Sequence, residues 1–440
     1  MGTPPPANAA PPPHQLQRSV GLTGAVVLGL GSIVGTGAFV SLGLAAASAG
    51  AWLPLAVLLA GLLATCNGLS SAQLAARLPK SGGTYLYASR LLNPMLGLVA
   101  GATFLTAKSA SAAAAAIGVA GYALGMVSAE AWPPGVVIGL AAAIVVAMTA
   151  LVLGGLRRSN LVNAVLVAIT LLGLGVFVAA AGSADRWTLD GNNDQRPLAT
   201  GLAQATALCF VAYTGYGRVA TLGEEIRDPQ RNIPRAVVLT LVVSAVAYAA
   251  VAFAALHAVG SIGFAQAVAG GATLENVLHM VGTSPTVRTV VAVTAIAAML
   301  GVLLNLLLGL SRVALAMGRQ GDLPPAFARL DAKGQTPVAA VVGVAVVILL
   351  VVATGSVKAA WSFSAVTVLI YYGLTNLAAL RLQATGRLAP RWVSVVGLIG
   401  CVGLALLVDP PYVIAGLVVV GAAAAWYVLA RLFGGEAKVQ

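Results

Sequence analysis

The chain has 440 residues, of which 59% are hydrophobic and only 8% charged, and its mean hydropathy is +0.96. That balance excludes a soluble globular domain and describes a polytopic helical membrane protein. A net charge of +12 would point to nucleic acid in a soluble chain, but here the basic residues follow the membrane topology.

Residues 1–17 are Pro-rich and polar and read as a disordered tail, without the basic-then-apolar layout of a cleaved signal peptide. Twelve apolar stretches of spanning length follow, at about 20–47, 52–76, 95–124, 134–154, 160–181, 200–222, 235–257, 286–317, 337–354, 359–381, 390–408 and 411–431. The first carries Gly29, Gly31, Gly35 and Gly37 in its middle, and glycine is among the poorest residues for holding a helix. A span gives up helical hydrogen bonds only where the freed backbone lines a cavity or is buried in protein. The run therefore reads either as a discontinuous helix or as a close helix contact at Gly31 and Gly35.

After the second span, Leu78 to Tyr87 has turn chemistry and then an amphipathic stretch that fits an interfacial helix. Lys108 falls near the middle of the third span, too deep to reach either interface. The sixth span holds a second interruption, Ala212-Tyr-Thr-Gly-Tyr-Gly-Arg218, and runs on into a charged loop containing Glu224 and Glu225. Residues 260–284 are long and moderately apolar, and predict short helices over the outer mouth. Ser362, Ser364, Thr367, Tyr371 and Asn376 in the tenth span, and Asn305 in the eighth, are polar without an assigned role.

Most of the 24 Lys and Arg residues fall on one side if both termini are cytoplasmic; Arg186, Arg196, Arg288 and Lys358 are left outside. All 12 acids lie in loops, tails or helix ends, so no carboxylate sits deep in a span. Segments one and six are five spans apart and both are broken at mid-depth. Five spans followed by five in the opposite sense is an inverted repeat, and paired interruptions in corresponding spans point to a transporter's binding site.

Four stretches carry a family resemblance: Gly31-Ser-Ile-Val-Gly-Thr-Gly-Ala-Phe39; Pro79-Lys-Ser-Gly-Gly-Thr-Tyr-Leu-Tyr87; Phe210-Val-Ala-Tyr-Thr-Gly-Tyr216 with Glu224 to Pro234; and Ser311 to Pro324. In this order and at these depths they resemble the amino acid–polyamine–organocation permeases. The resemblance implies an all-α integral membrane protein of LeuT-type fold, with twelve transmembrane helices. Ten core spans would form a 5+5 inverted repeat (about 18–182 and 198–382, in a core of 18–382), with helices 1 and 6 discontinuous. Two peripheral helices and a cytoplasmic C-terminus would occupy 383–440. It further implies alternating access, with spans 1, 2, 6 and 7 rocking against 3, 4, 8 and 9.

In permeases of this type the substrate carboxylate sits on amides of the broken first span, which map to Gly35, Thr36 and Gly37. A helix N-terminus suits an anion there. The α-ammonium would sit on carbonyls around Ser32 and Ile33 and from Val211 to Thr214, beside Gly215. Tyr213 and Tyr216 would cover the ligand or pack. Some sodium-independent relatives place a Lys of the fifth span where sodium would bind. This chain has Thr170 there, and Lys108 is expected to supply the internal cation from the third span. Relatives often have Asp or Glu at the position of Gly217, so its absence weakens carboxylate-based proton coupling and a cationic substrate. Arg218 is expected to pair with Glu224 or Glu225 or with cytoplasmic carbonyls in preference to contacting the ligand, and Glu224 and Glu225 to belong to an ion-pair network that closes the inward gate.

The leading function is a sodium-independent secondary transporter of small or medium neutral amino acids, with exchange and proton symport both open. A cationic amino acid or polyamine permease is the alternative, and a channel a more distant one. No enzyme constellation, metal set, phosphate loop or cofactor site is present in the sequence, and His14, His257 and His279 have no catalytic company. Cys66, Cys209 and Cys401 fall in apolar segments without ligand spacing. The expected partners are an amino acid and the lipid bilayer of the cell membrane, with no nucleic acid.

Overall fold

A computed structural model describes residues 20–78, 82–128, 132–154, 160–184, 198–221, 226–268, 271–331, 336–383 and 387–433. Among them the chain is helical, and the β contact is one isolated parallel bridge between Val20 and Ile226. The helices in order are α1 (Leu22–Ile33), α2 (Leu42–Ala49), α3 (Leu53–Arg77), α4 (Thr84–Leu91), α5 (Pro94–Gly125), α6 (Pro134–Leu153), α7 (Asn160–Gly182) and α8 (Leu198–Tyr213). They continue as α9 (Gly217–Thr221), α10 (Pro229–Gln266), α11 (Thr273–Met280), α12 (Pro285–Arg319), α13 (Val338–Val352), α14 (Val357–Leu380), α15 (Arg391–Leu407) and α16 (Pro410–Phe433).

Many helices start where the sequence places a proline in the first turn, which lacks only an N–H that would be unpaired there. Asn93, Ser284 and Ser356 add side-chain caps, accepting from Leu96, Val287 and Ala359 respectively. Nine helical stretches among the described residues are long and apolar enough to cross a membrane. The first, Leu22–Arg77, is 56 residues long, far more than one crossing needs, and the chain turns at Gly50 with φ 55°. Two shorter apolar helices, Val338–Val352 and Arg391–Leu407, accompany them.

The core is built around α5. Its run Ala112–Ala116 is buried on every side, and its small side chains let α12 and α14 close on it from two directions. α10 lies along α3, and α1 is held between α7, α10 and α12. The seventh span continues past its expected end to Gln266 through a kink at Gly260 (φ 70°), and α11 lies in the predicted outer stretch. The predicted interfacial helix is α4, but its residues Thr84 to Ala88 are buried against α5 and α14.

Candidate functional site

The first span breaks where its glycines cluster. α1 ends at Ile33, Val34 takes φ −80° and ψ 89°, and a π-helical turn at Gly37–Ser41 leads into α2. The glycines are also packing positions. A Cβ on Gly35 would lie 2.5 Å from Val302 Cγ2, and one on Gly31 would lie 2.6 Å from Asn163 Oδ1. Both readings of the glycine run therefore hold at once, because the backbone that leaves the helix also approaches its neighbours closely.

The sixth span breaks in the same manner. α8 ends at Tyr213, a tight turn covers Thr214–Tyr216, and α9 resumes at Gly217. The two breaks meet. A Cβ on Gly215 would overlap the Ser32 carbonyl, and one on Gly37 would fall 2.7 Å from the Ala212 Cβ. Tyr248 of α10 ties them together, its hydroxyl shared between the carbonyls of Ile33 (2.8 Å) and Ala212 (3.1 Å). Asn305 donates to the Gly31 carbonyl at 3.0 Å and Tyr372 to that of Thr214 at 3.2 Å. The break carbonyls of Gly31, Ile33, Ala212 and Thr214 thus each accept from a side chain of another helix, and a carbonyl with one donor keeps a second lone pair.

Between the breaks lies a cavity of about 60 Å³. Of the residues singled out by sequence, Ser32, Ile33, Thr36, Gly37, Val211, Thr214, Gly215, Lys108 and Arg218 line it. Lys108 is 6% exposed, and its ammonium donates to the Thr214 hydroxyl at 2.5 Å. That hydroxyl in turn donates to the Val211 carbonyl at 2.6 Å, so the lysine holds the turn of the sixth span from across the cavity. The Thr36 hydroxyl is buried and has no hydrogen-bond partner among the described residues. Thr170 donates back to the Leu166 carbonyl.

Three predicted residues stand elsewhere. Gly35 faces α12. Tyr213 is fully buried behind the cavity, its ring against Tyr248 and its hydroxyl on the Val57 carbonyl. Tyr216 is buried with its ring on Tyr372, at 5.3 Å between centroids. Glu224 and Glu225 lie outside the described residues. The guanidinium of Arg218 rests on α12 at Gly309.

The cavity also contains side chains that sequence reasoning did not assign. Phe104 and Ser111 lie four residues before and three after Lys108, on the same face of α5, and helical spacing from the lysine points to them. Val302, Leu306 and Gly309 share a face of α12 with Asn305 in the same way. Trp361, whose indole donates to the Leu208 carbonyl at 3.0 Å, has no such signal in the sequence. No carboxylate lines the cavity among the described residues; its charged side chains are Lys108 and Arg218.

Membrane-spanning helices, two of them broken face to face around a buried polar cavity, define a multi-pass membrane protein of the transporter class. The profile of the amino acid permease family matches residues 24–439, and the chain belongs to that family. It is similar to the uncharacterized transporter Rv1999c of Mycobacterium tuberculosis (strain ATCC 25618 / H37Rv), with 39% identity over 97% of this chain and 94% of the other. It is 28% identical to the branched-chain amino acid permease BcaP of Bacillus subtilis (strain 168), over 73% of this chain and 71% of the permease. With the chloroplastic cationic amino acid transporter 9 of Arabidopsis thaliana it shares 29% identity, over 72% of this chain and 58% of that protein.

Proposed function

We propose that the chain is a sodium-independent secondary transporter of small or medium neutral amino acids, working by alternating access in a LeuT-type fold. The observation that carries this is the meeting of the two breaks across a cavity whose charged side chains are both cationic. In this reading Leu22–Arg77 makes two crossings and the shorter α13 and α15 one each, giving twelve. The core spans residues 18–382, in repeats of about 18–182 and 198–382, and α15 and α16 are peripheral. Both termini lie in the cytoplasm of a cell whose inner membrane holds the protein.

The substrate carboxylate meets the amides of Gly35, Thr36 and Gly37 and the unpartnered Thr36 hydroxyl. Its ammonium takes lone pairs of the break carbonyls around Ser32 and Ile33 and from Val211 to Thr214. Phe104, Val302, Leu306 and Trp361 supply an apolar wall for the side chain. Lys108 fixes the sixth-span break through Thr214 and stands in for a coupling ion. A cationic side chain would meet Lys108 in a low-dielectric site without a described carboxylate to receive it, which disfavours the cationic alternative despite the similarity to a plant cationic transporter.

Counterflow of radiolabelled amino acids into proteoliposomes, without sodium and at two pH values, tests the proposal. Accumulation of alanine-, serine- or leucine-like substrates is expected. Uptake confined to arginine, lysine or putrescine would overturn the charge argument, and an ion leak without amino acid movement would favour a channel.

A further inference from the structure

α15 and α16 are consecutive in sequence but do not lie along one another. α15 packs chiefly on α14 and α3, and α16 on α5 and α14. Between them, floored by α14, is a groove of about 260 Å³ lined by Leu369, Gly373, Leu377, Leu398, Val402 and Leu406 among other apolar side chains. Its single heteroatom side chain is Cys401, whose thiol is already bonded to Asn67 at 3.3 Å. Water needs two or more polar partners and finds none there, while an empty groove would forfeit dispersion contacts along its length. The rim residues Val402 and Leu406 are 52% and 65% exposed on the surface that faces the bilayer, so the occupant is a hydrocarbon chain.

The sequence register places a basic cluster at one end of this groove. Arg381 follows Leu377 by four residues and Arg391 precedes Leu398 by seven, so each lies on the groove face of its helix. Both are exposed, and neither has an acidic partner among the described residues. Arg387, between them, is spent on the carbonyls of Ala379, Leu380 and Leu382, which closes the end of α14. Trp392, next to Arg391 and 63% exposed, is the residue type that sits at the level of lipid headgroups.

We propose that the groove between α14, α15 and α16 binds an anionic phospholipid of the surrounding bilayer, one acyl chain along Leu369 to Leu398 and the phosphate on Arg381 and Arg391. The apolar groove selects a chain and the two guanidinium groups select its charge. This assignment depends on the membrane setting and not on which substrate is transported.

The test is photolabelling of the full-length protein in phosphatidylcholine liposomes carrying phosphatidylglycerol with a diazirine in its acyl chain, with adducts mapped by mass spectrometry. Diazirine phosphatidylcholine serves as the comparison. Adducts are expected to concentrate on α14 and α15 groove residues and to favour phosphatidylglycerol. R381Q/R391Q, both at exposed positions, lowers the phosphatidylglycerol adducts by roughly tenfold or more and leaves those of phosphatidylcholine unchanged. A Cβ on Gly373 meets Leu398 and Cys401 at 3.8 and 3.9 Å, ordinary contact distances, so Gly373→Ala is accommodated and narrows the groove, lowering both sets. Equal labelling by the two lipids, adducts spread over all exposed helices, or no response to R381Q/R391Q would overturn the proposal.

Discussion

Lys108 and Thr36 are two polar side chains of the cavity with opposite bonding states, and each leads to a distinct prediction. Lys108 has an acceptor in Thr214, while Thr36 has a buried hydroxyl with no partner among the described residues. Lys108→Met keeps the length and packing of the side chain and leaves Thr214 bonded to Val211. Its thermal stability should change by less than about 1.5 kcal/mol, while counterflow falls at least about tenfold if the ammonium is the internal cation. Equal transport by the variant would remove Lys108 from the mechanism. Thr36→Val deletes an unsatisfied hydroxyl whose burial costs about 1–3 kcal/mol. It should therefore leave the protein as stable or more so by thermal unfolding, while the apparent substrate affinity weakens. A loss of both stability and affinity would mean that the hydroxyl has a structural partner.

Among the elements, the breaks and the pieces that bolt onto them matter most. Gly215→Ala drives a methyl into the Ser32 carbonyl, which is backbone and does not yield as a flexible side chain would. Overpacking of this kind costs about 1–3 kcal/mol, and transport by Gly215→Ala should fall to background while Gly217→Ala, whose Cβ would meet only the tip of Tyr372, is milder. On the side proposed as outer, Tyr122 of α5 donates to the Phe39 carbonyl in the π turn and accepts from the Leu274 amide of α11, each at 3.0 Å. Tyr122→Phe unties both elements at once and should shift the protein towards states with an open outer path, read as faster alkylation of a cysteine placed on α11. At the end of α4, the Tyr85 hydroxyl donates to Asp322 at 2.5 Å, and Trp426 of α16 donates to the Asp322 carbonyl. Burial pushes the Asp322 carboxyl above its ordinary 3.8, opposed by the bond from Tyr85. A carboxyl raised by folding stabilises the fold fully below 3.8 and loses that contribution as pH climbs through the raised value, so Asp322→Asn should flatten the fall in thermal midpoint over that window. The breaks were legible in the sequence because glycine clusters in a span have few physical uses. The donors that cover their carbonyls, Tyr248, Tyr372 and Asn305, come from other helices and leave no local pattern. Tyr213 and Tyr216 were open to covering the ligand or packing, and they pack, because adjacency to a break says nothing about which way a ring turns.

For the whole molecule, hydropathy and glycine placement conveyed a helical membrane protein with two discontinuous spans, since the bilayer permits few alternatives. The composition did not convey that α4 is buried, because its tyrosines serve an interface and a core equally well. Nor did it reveal the divergence of α15 and α16 that opens the lipid groove, which depends on where α16 meets α5. The central claim is that the cavity between the two breaks is where the transported amino acid rests. It is tested most directly by placing a cysteine at Ser111, on the cavity wall, in a background without the three native cysteines, and measuring its alkylation rate with and without a transported amino acid. The account predicts that a saturating transported substrate slows alkylation several-fold, and that Thr36→Val raises the concentration needed. An alkylation rate unmoved by a substrate that this same variant still transports would place the binding site elsewhere.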